Sequence, residues 1–151
     1  MTGAAYGKRV VALRGNPYTN EDGVASGTIK PGQLVDGVGT IIVHGTAGGN
    51  TPRAFALERS ELGTGIDASY PGIPALTETY ATSDTVKVGV FHPGQRVTAR
   101  IASGQNISIN DKLESAGNGT LRKYNSGTIL GRSLEGPGTV AAETLLAIEI
   151  M

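Results

Sequence analysis

The sequence predicts an all-β domain: a small β-barrel or β-sandwich with an extended N-terminal arm and at most one short helix. Three observations carry this. Glycine fills 23 of 151 positions, about twice its ordinary share, and a helix-interior Gly costs about 1 kcal/mol relative to Ala, which excludes a helical bundle. Apolar residues alternate in runs of four to seven, the period of a half-buried strand. Pro, Gly, Asn and Ser stand between the runs, where turns need them. A length of 151 residues suits one domain, and the expected division is an arm over residues 1–20 and a single barrel or sandwich domain over 21–151.

The arm is read from its charge. Residues 1–20 hold Lys8, Arg9 and Arg14 and no acid. Within it only Val10-Val11-Ala12-Leu13 has strand character, and Gly15-Asn16-Pro17 breaks that run.

From Ala25 onward the pattern is short strands. Candidates are Gly27–Ile29, Gln33–Val35, Thr40–His44 and Arg53–Glu58, the last placing Phe55 and Leu57 opposite Ala56 and Glu58. A short helical turn is expected at Arg59–Leu62, stopped by Gly63. The clearest strand is Thr85–Phe91, with Val86, Val88 and Val90 on one face. His92-Pro93-Gly94 follows, then Gln95–Ile101 with Val97, Ala99 and Ile101 alternating against Thr98 and Arg100. Two alternating runs across a Pro-Gly turn predict a hairpin. Lys112–Glu114, Leu121–Lys123 and Thr128–Leu134 come next. Thr144–Ile150 is apolar enough to require pairing inside a sheet.

Fragments repeat at unequal spacing. Ser26-Gly27-Thr28-Ile29 returns as Ser126-Gly127-Thr128-Ile129, and Pro31-Gly32-Gln33 as Pro93-Gly94-Gln95. This is one turn chemistry used again, not a solenoid period.

Several functions are excluded or disfavoured. Thirteen basic residues balance 13 acidic ones and there is no Cys, so bulk nucleic-acid binding lacks its surplus of cations and disulfide, thiolate-metal and Cys-nucleophile chemistry are absent. The longest aliphatic runs, Ile41-Ile42-Val43 and Leu145-Leu146-Ala147-Ile148, fall far short of the ~20 residues of a membrane helix. His44 and His92 have no second ligand within four positions and read as structural or exposed. No Gly-x-Ser-x-Gly elbow presents a nucleophile. Gly45-Thr46-Ala47-Gly48-Gly49-Asn50 reads as a flexible loop, because no Gly-Lys-Ser/Thr follows it. No catalytic residue, cofactor or metal is therefore expected.

One alternative has a motif. Gly65-Ile66-Asp67-Ala68-Ser69-Tyr70-Pro71-Gly72 resembles a segment of the trimeric deoxyuridine triphosphatases, in which an Asp activates water and a Tyr packs under deoxyribose. On that reading Asp67 and Tyr70 serve a deoxynucleotide triphosphatase-like hydrolase. Gly131-Arg132-Ser133-Leu134 echoes the same family's phosphate-binding segment but follows the Asp-Tyr motif, where the family has it before.

A second resemblance spans residues 25–150. Ala25-Ser26-Gly27-Thr28-Ile29-Lys30-Pro31-Gly32, Phe55-Ala56-Leu57-Glu58, Gly65-Ile66-Asp67-x-x-Tyr70 and Val86-Lys87-Val88 open it. It continues through Pro93-Gly94, Ala99–Gly104 and Leu113–Leu121, and closes with Gly131-Arg132-Ser133-Leu134-Glu135. In this order and near this spacing, the segments resemble the capsid decoration, or cement, proteins of tailed bacteriophages. The resemblance implies a β-tulip-like barrel and a non-enzymatic virion protein. Such a protein is made in the bacterial cytoplasm and bound as a homotrimer to the outer surface of the expanded head. Its partner is the major capsid protein at local three-fold positions, where it stabilises the shell against the pressure of packaged DNA. No cofactor, nucleic acid or membrane partner is implied. On this reading the arm lies across capsid subunits. Lys8, Arg9 and Arg14 meet acidic surface, Tyr6 and Tyr18 anchor, and Val10, Val11 and Leu13 add a strand.

Overall fold

The structure, a computed structural model, describes residues 11–14, 19–58, 76 and 78–151. Among them thirteen strands form: β1 (Ala12–Arg14), β2 (Thr19–Ala25), β3 (Val35–Asp36), β4 (Thr40–Val43), β5 (Ala54–Ala56), β6 (Thr85–Val90), β7 (Arg96–Ile101), β8 (Asn106–Ile107), β9 (Lys112–Ser115), β10 (Leu121–Lys123), β11 (Gly131–Ser133), β12 (Gly138–Thr139) and β13 (Thr144–Ile150). The all-β expectation holds.

Five strands close on themselves. β7 pairs with β13, β13 with β11, β11 with β9, β9 with β10, and β10 returns to β7 through the Leu121–Ile101 pair. β1 joins β7 on the edge that β10 leaves open. Alternation sets what faces inward. Val97, Ala99 and Ile101 of β7 meet Ile148 and Leu146 of β13, and Leu113, Leu121 and Leu130 fill the remainder, all buried. Burying an aliphatic side chain of this size stabilises by roughly 1.5–3 kcal/mol, which is how a Cys-free barrel holds its shape.

The second sheet has the order β3-β4-β2-β6-β5. Ala25, Ile41, Val86 and Val88 line its own core with Ile29 and Tyr80, whose hydroxyl donates to the Leu57 carbonyl at 2.8 Å. β5 lies between the two cores. Ala54 and Ala56 face the sheet's core, while Phe55 faces the barrel and meets Phe91 edge-on, with ring centroids 6.0 Å apart.

The repeated Pro-Gly-Gln is one turn used twice. Gln33 N–H donates to the Lys30 carbonyl and its side-chain oxygen accepts the Lys30 N–H; Gln95 does the same to His92. Gly32 and Gly94 supply φ of +88° and +93°, a region closed to most side chains.

Three expectations are corrected. Thr85–Phe91 and Gln95–Ile101 do not form a hairpin: β6 pairs with β2 and β5, and β7 with β1, β10 and β13. The turn at Pro93-Gly94 is present but acts as a corner between sheets, since Gly94 N–H donates to the Ile150 carbonyl rather than closing a ladder back to β6. The glycine-rich loop at residues 45–50 is tied down: Gly48 N–H donates to Ser115 O, and Thr128 N–H donates to Gly48 O. Third, β2 begins at Thr19, before residue 21, and β1 pairs within this chain's own barrel, so the described part of the expected arm belongs to the body. The expected helical turn at Arg59–Leu62 lies outside the described residues.

Candidate docking surface

The outer wall of the barrel gathers cations that are far apart in sequence. Register places Arg14 of β1 opposite Arg96 of β7, Arg96 opposite Glu149 of β13, Glu149 opposite Arg132 of β11, and Arg132 opposite Lys112 of β9. Tyr124, just past β10, adjoins Lys112 through its N–H to the Lys112 carbonyl at 2.8 Å. Arg96, Glu149, Arg132 and Lys112 alternate with Val97, Ile148 and Leu113, which point inward, so these four form a row across four strands on the solvent side.

Glu149 is the single anion in the row. Arg96 Nε reaches its Oε1 at 3.3 Å, and Arg132 Nη2 its Oε2 at 3.2 Å. Desolvation raises the Glu149 carboxyl, and the hydrogen bonds and charges of Arg132 and Arg96 outweigh it, leaving it below its ordinary range. Arg132 also holds Asn110 Oδ1. Exposed Lys112 makes no ion pair among the described residues. Such a wall offers several guanidinium and ammonium donors to carboxylates on another surface.

A second charged cluster is structural. Glu114 is buried in the barrel wall; its Oε1 accepts the N–H groups of Asn125, Ser126 and Gly127 at 2.8–3.0 Å, and its Oε2 accepts Arg122 Nε and Nη2 at 2.9 and 2.7 Å. Burial raises this carboxyl, but the Asn125, Gly127 and Ser126 N–H groups and Arg122 together bring it from 4.5 to about 2.

The histidines stand as read. Buried His44 shares a hydrogen bond with Asp36 Oδ2 at 2.6 Å and its Nε2 donates to Thr46 O at 3.0 Å, while His92 lies exposed in its turn. Among the described residues no group of three or more His, Asp or Glu is placed to hold a metal.

The sequence-expected contact residues divide. Val11 is buried in the barrel core; its N–H donates to Glu58 Oε2 at 2.8 Å and its carbonyl accepts from Thr98. Leu13 is half-buried in β1, and the backbone of Arg14 pairs with that of Arg96 in β7. Within this chain Ala12–Arg14 pairs with β7 along one side and is the outermost strand of its sheet. Tyr6, Lys8, Arg9, Val10 and Tyr18 lie outside the described residues, as do Asp67 and Tyr70. Arg96, Lys112, Arg132 and Tyr124 were missed. The available signal was a Lys or Arg on the polar side of several separate strands.

The sequence matches no family model and no curated protein. Among solved structures the fold is similar to the N base of head fiber gp8.5 of bacteriophage phi29, at 14% identity and a TM-score of 0.54, over 88% of this chain and 93% of that one. That likeness establishes a shared all-β fold over nearly the whole length of both chains.

Proposed function

We propose that this chain is a non-enzymatic structural protein of a tailed-phage head, a decoration protein bound as a trimer to the outside of the expanded shell. The observation that carries the reading is the fold, shared over 88% of the chain with the base of a phage head fibre. The ordered decoration-protein segments across residues 25–150 support it independently. The shell contact is assigned to Tyr6, Lys8 and Arg9 of the N-terminal segment, with the major capsid protein as partner. Clamping several capsid subunits at local three-fold positions adds avidity without strong single contacts, and this is how the protein resists internal DNA pressure.

The test is incubation of purified protein with expanded empty heads, followed by imaging and by heating. Saturable density at local three-fold positions and a higher rupture temperature are expected. Absence of density at saturating protein overturns the reading. The likeness to a fibre base favours one second reading, that the chain seats a projecting fibre; density rising well beyond one small domain at each site selects it.

A further inference from the structure

Strands β2 and β4 run side by side and then part. Their parallel pairing sets Val24 beside Thr40 and Ala25 beside Ile41, and its last rung is the Ser26 N–H bond to the Ile41 carbonyl at 3.0 Å. Continued by one step, the ladder would join Val43 N–H to the Ser26 carbonyl and Thr28 N–H to the Val43 carbonyl. Neither bond is made. The chain after Ser26 turns away to Ile29, whose N–H and carbonyl both pair with Tyr80, while β4 runs on to Val43.

The groups at the parting are left open. On its other side β4 faces β3, where His44 N–H donates to the Leu34 carbonyl at 3.0 Å. Bonded and non-bonded pairs alternate along an antiparallel ladder, so Val43 turns its own N–H and carbonyl away from β3, into the gap. Among the described residues, Val43 N–H and carbonyl, the Ser26 carbonyl and Thr28 N–H have no backbone partner there. Between them lies a cavity of about 260 Å3 lined by Ser26, Gly27, Thr28, Ile29, Ile42 and Val43. That is smaller than the roughly 300–1,000 Å3 of small-molecule pockets. Ile29 and Val43 belong to the sheet's apolar core, Ile42 is exposed at the rim, and no charged side chain lines the space. Gly27 keeps it open: a Cβ there would meet nothing within 4 Å, and its φ lies outside the left-handed region.

We infer that the gap between Val43 and Ser26–Thr28 takes an extended peptide segment of another protein by strand addition, with one aliphatic side chain of that segment filling the cavity. The open groups identify the occupant. Two donors and two acceptors at the spacing of a strand are matched by a main chain, and an unpaired strand edge is a template for one. The aliphatic, uncharged lining selects an aliphatic side chain and gives no hold to a phosphate or an acidic sugar. In this mode main-chain bonds supply affinity and the side-chain pocket supplies specificity. The site is separate from the N-terminal segment assigned to the shell, and it is tested without heads.

The experiment is selection of a displayed random heptapeptide library on the whole protein, then titration of the strongest binder, as a synthetic peptide, into isotope-labelled protein. The binder is expected to carry an aliphatic residue at its centre and to shift the amide signals of Gly27, Thr28 and Val43 above all others. Gly27→Leu, which fills the cavity from within, is expected to weaken binding by about tenfold or more, the scale on which a pocket senses a lost aliphatic contact, with an unchanged melting temperature. Methylating the peptide's amide nitrogens beside the aliphatic residue is expected to abolish binding to the wild-type protein, because it removes the main-chain donors. The inference is overturned by a selection that yields no Gly27-dependent binder, by amide shifts centred elsewhere, or by a methylated peptide that binds like its parent. Association between copies of this chain that Gly27→Leu abolishes, in place of peptide binding, likewise overturns it.

Discussion

Glu114 on β9 and Arg122 on β10 stand directly opposite each other, and between them Arg122 and three consecutive N–H groups occupy both oxygens of one buried carboxylate. The loop Asn125–Gly127 is thereby wrapped around a side chain of the neighbouring strand. Removing the carboxylate leaves an unpaired guanidinium and three orphaned donors. Glu114→Ala is expected to lower unfolding free energy by about 3 kcal/mol, the scale for breaking a buried charged pair. Arg122→Ala costs less, because Arg122 is partly exposed and the loop donors keep their acceptor. Denaturant unfolding of both variants checks the order; equal losses would refute the role given to the loop.

The same carboxylate sets an acid limit. Its folded-state value is about 2 against 4.5, so folding favours the ionised form, and its contribution is complete above about pH 4.5 and is lost as pH falls toward about 2. Glu149 is lowered in the same direction, but it faces solvent and its part fades with added salt. Melting temperatures from neutral to acid pH are expected to fall through this window, and the fall is expected to be shallower in Glu114→Ala.

The two Pro-Gly-Gln turns separate backbone strain from crowding. Both glycines have positive φ, but a Cβ on Gly32 would lie 3.1 Å from the Thr98 carbonyl oxygen, whereas one on Gly94 meets nothing within 4 Å. Gly94→Ala is expected to cost about 1–2 kcal/mol from the left-handed backbone alone. Gly32→Ala costs that amount plus the displacement of a packed loop. Thermal melts of the pair test the difference.

Gly127 has an ordinary φ but no room. An added Cβ would stand 2.4 Å from the Gly48 Cα, at the point where the loop of residues 45–50 crosses the Glu114 clasp. Gly127→Ala is expected to destabilise by about 1–3 kcal/mol, as overpacking does, and to raise amide exchange at Gly48 and Thr128.

Truncation distinguishes the N-terminal segment from the body. Removing residues 2–10 is expected to abolish head binding with stability unchanged. Removing 2–14 is expected to destabilise as well, since it deletes β1 and the buried Val11; loss of one such side chain costs a kcal/mol or more. Undiminished decoration by the shorter truncation refutes the assigned contact.

Two strands are legible to the residue: Thr144–Ile150 and Leu121–Lys123 match their observed bounds. Thr85–Phe91 and Gln95–Ile101 were right as strands and wrong as partners, because pairing is decided by which ladders the barrel closes, and a turn sequence reports only the local bend. β2 was invisible because Thr-Asn-Glu-Asp-Gly carries almost no apolar signal; its ladder to β6 and the inward Gly23 and Ala25 hold it. The cationic row was illegible for a related reason. Arg96, Lys112 and Arg132 become neighbours only through register, which no spacing along the chain encodes.

One consequence of the strand order is mechanical. β1 and β13 lie on opposite edges of β7 and both run antiparallel to it. Val11 sits toward the Thr98 end of that strand, and Ile150 toward the Gln95 end. Tension applied between the segment before Val11 and the end of β13 therefore pulls the outer strands in opposite directions along the axis of β7. The ladder bonds are loaded together in shear instead of being opened one at a time like a zipper. A tether attached ahead of β1 would transmit its load straight into the barrel's longest pairing.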